Sequence, residues 1–229
     1  WAENTLLGPD GARVELPASQ SDVVTLHGVG AAPQTLVGLR FAGAGIYATE
    51  GGALRPWAPG TLAQALPVRA LEAADLDGDG IDELVVAATG WRGHELRVYA
   101  ANGRVRARAR FAAWDAAITA DGTIWTIAGP SPETDLPHGE RRQLLPLRLR
   151  GAALEPAGEP IQLDREAAAV WAADLDGDGV DELVLRRERS RDGQLALVRF
   201  HRLVDLGVEG PAAVLAVAYP GAGLVFWGL

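Results

Sequence analysis

The chain has 229 residues, 48% of them apolar, and a formal net charge of −9. This length fits a single all-β domain with a sizeable core. Because the chain has no Cys, disulfide frameworks and thiolate metal sites are excluded. No apolar run is long enough to cross a bilayer. The absence of Met leads us to expect a processed or trimmed chain, with any signal segment lying outside residues 1–229.

The first part of the chain predicts short strands joined by glycine-rich turns. Residues 4–16 predict a hairpin around the turn at 8–11, and residues 23–39 predict two strands that flank a glycine loop. Residues 45–55 predict a second hairpin around Gly51-Gly52. A strand–loop–strand unit followed by a hairpin is typical of a four-stranded antiparallel sheet.

An acidic stretch follows at 73–86 and occurs again, almost unchanged, at 172–185. The carboxylates alternate along each stretch and repel one another unless a hard cation lies between them. Ca²⁺ takes about six to eight oxygen ligands in flexible geometry, backbone carbonyls included. The duplication therefore predicts two Ca²⁺ sites. Their predicted ligands are Asp75, Asp77, Asp79, Glu83 and the carbonyl of Ile81, and Asp174, Asp176, Asp178, Glu182 and the carbonyl of Val180.

The residues around the acidic loops distinguish between calcium motifs. An EF-hand requires flanking helices and a bidentate Glu at loop position 12. Here that position holds Val86 or Leu185, within residues that predict strands. The pattern resembles the FG-GAP or VCBS-type repeat of integrin α-subunit-like, calcium-binding β-propellers. That family usually has Asp at the ninth loop position. Here Glu83 and Glu182 follow Asp82 and Asp181, so the last ligand stays open between the two neighbours.

The rest of the chain supplies further units of the same kind. Residues 114–127 and 213–226 predict strand pairs without the acidic ligands, and 95–108, 144–154 and 194–206 predict outer hairpins. Each four-stranded sheet needs one inner strand pair and one outer hairpin. The predicted strand pairs and outer hairpins are equal in number only if the N-terminal hairpin completes the last sheet. We therefore expect a single all-β domain, 1–229, forming a five-bladed β-propeller of four-stranded blades; the alternative is a β-sandwich. The predicted blades are 17–57, 66–111, 112–157, 166–206, and 211–229 together with 1–16.

We expect partner-binding residues on the loop face opposite the acidic loops, because loops on a rigid scaffold concentrate function. The longest loop of this face is 129–143. Arg and Trp are frequent interface anchors. The predicted candidates are Trp57, Trp91, Arg92, Arg141, Arg142 and Arg189. Alternatively these are ordinary solvated loop residues, since every basic residue of the chain is Arg.

The segment 104–110 alternates Arg with apolar residues, which predicts an outer strand with one charged face. Such a face could bind a polyanion, but it is more typical of an edge strand protected against pairing with another chain. Nucleic acid is not expected as a partner, because no nucleic-acid-binding fold signature accompanies the charges.

The resemblance implies a non-catalytic, Ca²⁺-stabilised module that works outside the cytoplasm and binds a protein or a glycan. No catalytic motif is present, and the His residues are scattered. The alternative function is a carbohydrate-active propeller, either lectin-like or a glycoside hydrolase, which would use carboxylates outside the metal loops. The candidate acids for that alternative are Glu72, Asp115, Asp121 and Glu166.

Overall fold

The computed structural model describes residues 5–7, 13–16, 20–30, 32–40, 44–57, 67–90, 93–129, 142–163, 166–175, 177–187, 195–199, 202–205, 214–216 and 225–227. Within these ranges the regular structure consists of β-strands. The described part of the chain contains no helix long and apolar enough to cross a membrane.

The strands follow one another in short antiparallel steps. In chain order they are β1 Thr5–Leu7, β2 Arg13–Glu15, β3 Gln20–Leu26, β4 Gln34–Leu39, β5 Gly45–Glu50, β6 Ala53–Pro56, β7 Val68–Ala74, β8 Glu83–Gly90, β9 Gly93–Tyr99, β10 Val105–Ala109, β11 Ala112–Ile118, β12 Ile124–Gly129, β13 Gln143–Arg150, β14 Ala153–Pro156, β15 Ile161–Gln162, β16 Ala167–Ala173, β17 Glu182–Arg187, β18 Leu195–Arg199, β19 Arg202–Asp205, β20 Val214–Ala216 and β21 Val225–Trp227.

Four sheets have the same meander topology, in which each strand pairs with the next. Sheet 1 is β3–β6, sheet 2 is β7–β10 and sheet 4 is β16–β19, each four-stranded. Sheet 3 is β11–β14, and β15 pairs with its third strand, β13. Two separate hairpins, β1–β2 and β20–β21, lie near the chain ends. The predicted four-stranded antiparallel sheets are therefore present, whereas the very short strand β15 was not predicted.

The first strand of each sheet, called its innermost strand below, contacts the first strand of the next sheet along the chain. Strand β3 contacts β7, β7 contacts β11, and β11 contacts β16. Each of these strands has a register irregularity near its start, for example between Gln20 and Asp22 and between Val68 and Ala70. A β-bulge at the same position in each sheet indicates one structural unit repeated along the chain, including sheets 1 and 3, which lack the acidic stretch.

The core lies between neighbouring sheets rather than between two layers. One cluster joins sheets 1 and 2 through residues such as Leu36 and Leu71, and a second joins sheets 2 and 3 through residues such as Val85 and Ile124. A third joins sheets 3 and 4 through residues such as Ile127 and Leu185. This succession of face-to-face sheets differs from the β-sandwich alternative, in which two sheets enclose one core. A closed ring of five sheets remains a prediction.

Trp57, predicted to offer an exposed apolar contact to a partner, lies in the core instead. Its side chain is 6% exposed, and its indole Nε1 donates to Gln34 Oε1 at 3.2 Å. Its ring meets the ring of Tyr99 edge to face, with centroids 5.8 Å apart. The link after β6 therefore turns this large side chain inward, where burying it removes apolar area from water.

Candidate metal centre

The first acidic loop, residues 75–82, connects β7 to β8 and is organised around the carboxylate of Asp75. That carboxylate accepts hydrogen bonds from the backbone amides of Gly78 at 2.7 Å, Asp79 at 3.1 Å and Gly80 at 2.8 Å. The amide of Gly80 contributes most to lowering the pKa of Asp75. Gly80 adopts a φ of 85°, which an L side chain would disfavour, and this conformation helps to wrap the loop tightly around the first carboxylate.

Three carboxylates of this loop converge on one point. Asp75, Asp77 and Glu83 each offer an oxygen, and these atoms all lie within 4.8 Å of one another. The Glu83 side chain is only 4% exposed, and its Oε2 accepts the amide of Leu76 at 3.0 Å. Burial raises the pKa of Glu83, while the amide of Leu76 and the guanidinium of Arg106 oppose that effect. A buried carboxylate beside two others is stabilised by a cation placed between them.

Asp79, also a predicted ligand, is not among the three converging carboxylates, but it lines the same groove as Asp77 and Glu83. The carboxylate of Asp79 accepts the amide of Ile81 at 2.8 Å, which fixes the turn that leads to Glu83. Ile81 is 38% exposed, although it is apolar, because the loop curls toward solvent at this point. Asp77, Asp79, Ile81 and Glu83 line one open groove, which gives an ion access to the cluster from solvent.

The described part of the second acidic loop repeats these hydrogen bonds. Asp174 accepts the amides of Gly177 at 2.8 Å, Asp178 at 3.1 Å and Gly179 at 2.9 Å. Glu182 Oε2 accepts the amide of Leu175 at 2.9 Å, as Glu83 accepts that of Leu76. The predicted ligand Asp176 lies outside the described residues. The amide of Val180 donates to Asp178 at 2.9 Å, as the amide of Ile81 donates to Asp79, so the described part of this loop has the same hydrogen bonds as the first.

The acids that precede Glu83 and Glu182 turn toward the neighbouring sheet instead of the loop. Asp82 Oδ2 accepts the amide of His27 at 2.7 Å and lies 3.0 Å from His27 Nδ1. Asp181 Oδ2 accepts the amide of Ala120 at 2.5 Å. Both acids thus connect their loop to the preceding sheet. This arrangement favours Glu83 and Glu182, rather than Asp82 and Asp181, as the last oxygen donors of each loop.

Arg106 enters the first acidic loop, although it was not predicted as part of the site. Its Nη1 donates to Asp77 Oδ2 at 2.5 Å and to Glu83 Oε1 at 2.6 Å. The hydrogen bond to Asp77 is the main cause of the raised pKa of this guanidinium. The predicted outer strand with a charged face is present along β10, but Arg106 contacts the acidic loop, because a bulge between Val105 and Ala107 interrupts the strict alternation of this strand.

A second group of carboxylates lies on the innermost strands. Asp22 Oδ2 accepts the amide of Leu71 at 3.0 Å, and Asp115 Oδ2 accepts that of Val170 at 2.8 Å, so each acid joins its own sheet to the next. Burial raises the pKa of Glu72 to about 8, and repulsion by Asp22 and Asp115 adds to the effect. Burial likewise raises the pKa of Asp115 to about 7.

Most of the predicted partner face falls on residues that the structure does not describe. Trp91, Arg92, Arg141 and Arg189 lie outside the described ranges, as does most of the loop 129–143. Arg142 is described and half-buried, and its backbone carbonyl accepts the amide of Leu163 at 2.7 Å. The assignment of a partner to this face therefore remains a prediction.

Comparison with known proteins agrees with the repeat seen in the sequence. Residues 68–106, which include the first acidic loop and Arg106, match the FG-GAP repeat family. The chain is similar to a solved structure described as "Structure of Dos1 propeller", with a TM-score of 0.52 and 10% sequence identity. The match covers 84% of this chain and 50% of that chain, so this chain spans half the length of that structure. No curated protein matches. The predicted resemblance to an FG-GAP-type β-propeller is thereby confirmed.

Proposed function

We propose that this chain, an FG-GAP-type β-propeller, is a non-catalytic binding or scaffold module that Ca²⁺ stabilises and that works outside the cytoplasm. The observation that carries the proposal is the convergence of oxygens from Asp75, Asp77 and Glu83 in a loop between two strands. A binding module needs rigid loops, and an ion held at a sheet corner supplies such rigidity.

The donor set of the loops suits Ca²⁺ better than a transition metal. The cluster offers carboxylate oxygens, with no imidazole or thiolate among them. Oxygen ligands select hard cations, and a loop of mixed carboxylates and carbonyls suits the large coordination number of Ca²⁺. In the first loop the ion would be held by Asp75, Asp77, Asp79, Glu83 and the carbonyl of Ile81. In the second loop it would be held by Asp174, Asp176, Asp178, Glu182 and the carbonyl of Val180.

The proposed role of the ions is structural. Each acidic loop joins the first two strands of its sheet and is also connected to the preceding sheet through Asp82 or Asp181. Neutralising the loop removes repulsion at a point where two sheets meet. An ion that binds only the folded chain adds about 2.7 kcal/mol of stability at a free concentration one hundred times its Kd. Extracytoplasmic Ca²⁺ concentrations would keep such sites filled.

Removing calcium should therefore lower the melting temperature. At a hundredfold excess of Ca²⁺ over Kd, EDTA is expected to lower Tm by about 5–10 °C for each site. The double variant D77A/D176A should melt like the EDTA-treated chain and should not respond to EDTA. The measurement is thermal denaturation followed by circular dichroism, with Ca²⁺ or EDTA present.

The matched control for this experiment is the double variant E155A/E159A. It removes the same number of carboxylates from exposed positions in and after β14. Its melting temperature should respond to EDTA as that of the wild type does. A wild-type chain that melts at the same temperature with and without EDTA would contradict the calcium proposal.

We further propose that a protein or a glycan binds the loop face opposite the acidic loops, on five blades of which the last is completed by β1 and β2. Trp91, Arg92, Arg141, Arg142 and Arg189 are the proposed contacts. A glycan array and a protein-interaction capture, each repeated with the variant W91A/R92A, distinguish the two partner classes. Binding that this variant leaves unchanged would move the partner site elsewhere.

A carbohydrate-active propeller is the second candidate function, and the half-buried carboxylates of the innermost strands favour it. The pKa of Glu72 is raised to about 8 and that of Asp115 to about 7, which are suitable values for a general acid. A panel of glycoside substrates tests this candidate. Turnover by the wild type that is lost in E72Q and D115N would replace the non-catalytic proposal.

A further inference from the structure

We propose that Arg106 is a resident counter-cation that competes with Ca²⁺ for the first acidic loop and lowers the affinity of this loop for Ca²⁺. The proposal rests on the calcium function proposed above. The guanidinium of Arg106 contacts Asp77 Oδ2 at 2.5 Å and Glu83 Oε1 at 2.6 Å. Asp77 and Glu83 are two of the three carboxylates that converge in this loop.

The guanidinium and the ion are both positively charged, and both would contact the same carboxylates. Arg106 neutralises part of the acidic cluster through hydrogen bonds that are strong because both partners are charged. An incoming Ca²⁺ must take oxygens from these carboxylates and is repelled by the guanidinium at this short distance. Arg106 is 25% exposed on its side chain, so it can leave toward solvent when the ion binds. The free energy of calcium binding to this loop therefore includes the cost of displacing Arg106.

Arg106 is in this position because β10 contains one additional residue. In sheet 2 Val105 pairs with Tyr99 and Ala107 pairs with Val98, which leaves Arg106 as the bulged residue between them. In sheet 4 the corresponding pairing runs without interruption, with Leu203 opposite Val198 and Val204 opposite Leu197. Among the described strands, the outer strand of sheet 2 therefore has a bulge that the outer strand of sheet 4 lacks.

In sheet 3 a guanidinium also contacts the loop between the first two strands, and this loop lacks the set of acidic ligands. Thr123 stands where Glu83 stands in sheet 2, since each directly precedes the first residue that pairs with the third strand. Arg148 Nη2 donates to Thr123 Oγ1 at 2.7 Å and to Asp121 Oδ2 at 2.6 Å. A guanidinium thus stabilises one corner of this fold without the full set of acidic ligands. The first acidic loop combines such a guanidinium with the acidic ligands.

A calorimetric titration with CaCl₂ tests the competition directly. The wild-type chain should bind Ca²⁺ in two steps, and the variant D77A identifies the step of the first loop because it should lose that step alone. Replacing Arg106 by Gln removes the competing charge and keeps a similar length. The R106Q variant should bind Ca²⁺ at the first loop at least tenfold more tightly, while the second step stays within twofold of the wild type.

Two further variants make the result specific to the charge of Arg106. In R108Q an exposed Arg of the same strand is neutralised, and the affinity should stay within twofold because salt screens a distant surface charge. In R106K the charge remains without the planar fork, so the affinity of the first loop should lie between those of the wild type and R106Q. This variant also provides the comparison if R106Q folds poorly without Ca²⁺.

The possible outcomes separate this inference from the calcium proposal. If neither the wild type nor R106Q takes up Ca²⁺, the proposed calcium function is wrong. If both loops bind Ca²⁺ but R106Q leaves the first step unchanged or weakens it, the calcium function stands and the competition by Arg106 is overturned. Equal tightening in R106Q and R108Q would also overturn it, because net charge rather than the position of Arg106 would then set the affinity.

Discussion

Gly28 shows how closely the first acidic loop is held by the neighbouring sheet. A Cβ at this position would lie 2.4 Å from the carbonyl oxygen of Gly80, and the backbone has a φ of +76°. Substitution by Ala therefore combines a clash with backbone strain. We expect G28A to destabilise the chain by about 1–3 kcal/mol and to weaken Ca²⁺ binding at the first loop.

Gly30 provides the matched control for this substitution. It lies in the same loop, and a Cβ there would meet nothing within 4 Å. The variant G30A should keep the stability of the wild type within about 0.5 kcal/mol. Chemical denaturation of both variants measures the difference. Equal stabilities of G28A and G30A would contradict the close approach of the two loops.

The raised pKa values of Glu72 and Asp115 predict a pH dependence at saturating Ca²⁺. Their ordinary pKa values are 4.5 and 3.8, and burial raises them to about 8 and about 7 in the folded chain. Between about pH 4 and pH 8 the folded state therefore binds more protons than the unfolded state. The stability from these two groups is present below about pH 4 and is lost as the pH rises to about 8.

The variant E72Q isolates the contribution of Glu72, because Gln cannot ionise. Between pH 5 and pH 9 the wild type should lose on the order of 1–3 kcal/mol more stability than E72Q. The exposed acid Glu159 supplies the control, and E159Q should follow the wild-type profile. Denaturation profiles at several pH values give the comparison. Parallel profiles for the wild type and E72Q would show that Glu72 ionises normally in the folded chain.

At the scale of elements, two kinds of hydrogen bond between neighbouring sheets each occur twice in the described part of the chain. Asp22 and Asp115 each accept an amide of the next innermost strand. Asp82 and Asp181 each accept an amide of the preceding sheet's loop. Both kinds of contact occur between sheets 1 and 2 and again between sheets 3 and 4. The repeated unit is thus the single sheet, and these contacts add a second level of repetition, a pair of sheets of which the second carries the acidic loop.

The sequence predicted those elements whose signals are local. The duplicated stretches located the acidic loops, and Asn102-Gly103 located the hairpin between β9 and β10. The bulge at Arg106 could not be predicted in this way, because the alternation of 104–110 fits a regular strand equally well. The burial of Trp57 also lacked a local signal, since its partners Gln34 and Tyr99 are distant in sequence.

At the scale of the whole molecule, the position of the N-terminal hairpin determines whether the ring is closed. Val14 of β2 is 2% exposed, although β1 and β2 pair only with each other among the described strands. A two-stranded hairpin cannot bury a side chain alone. Strand β2 contacts β6, the outer strand of sheet 1, just as β10 contacts β14 between the outer strands of sheets 2 and 3. This contact is the one expected if β2 is the outer strand of the last blade.

Truncation and relocation of the hairpin together test that arrangement. Deleting residues 1–16 should lower Tm by about 5–10 °C, since it removes a hairpin and exposes a sheet edge. A permuted chain that carries residues 1–16 after Leu229 through a short Gly/Ser linker should recover most of this loss, because the hairpin would then complete the last blade directly. The substitution V14A should cost about 1–2 kcal/mol, and the exposed neighbour R13A should cost less than about 0.5 kcal/mol. A truncated chain as stable as the wild type, or a permuted chain no more stable than the truncated one, would place the hairpin outside the ring.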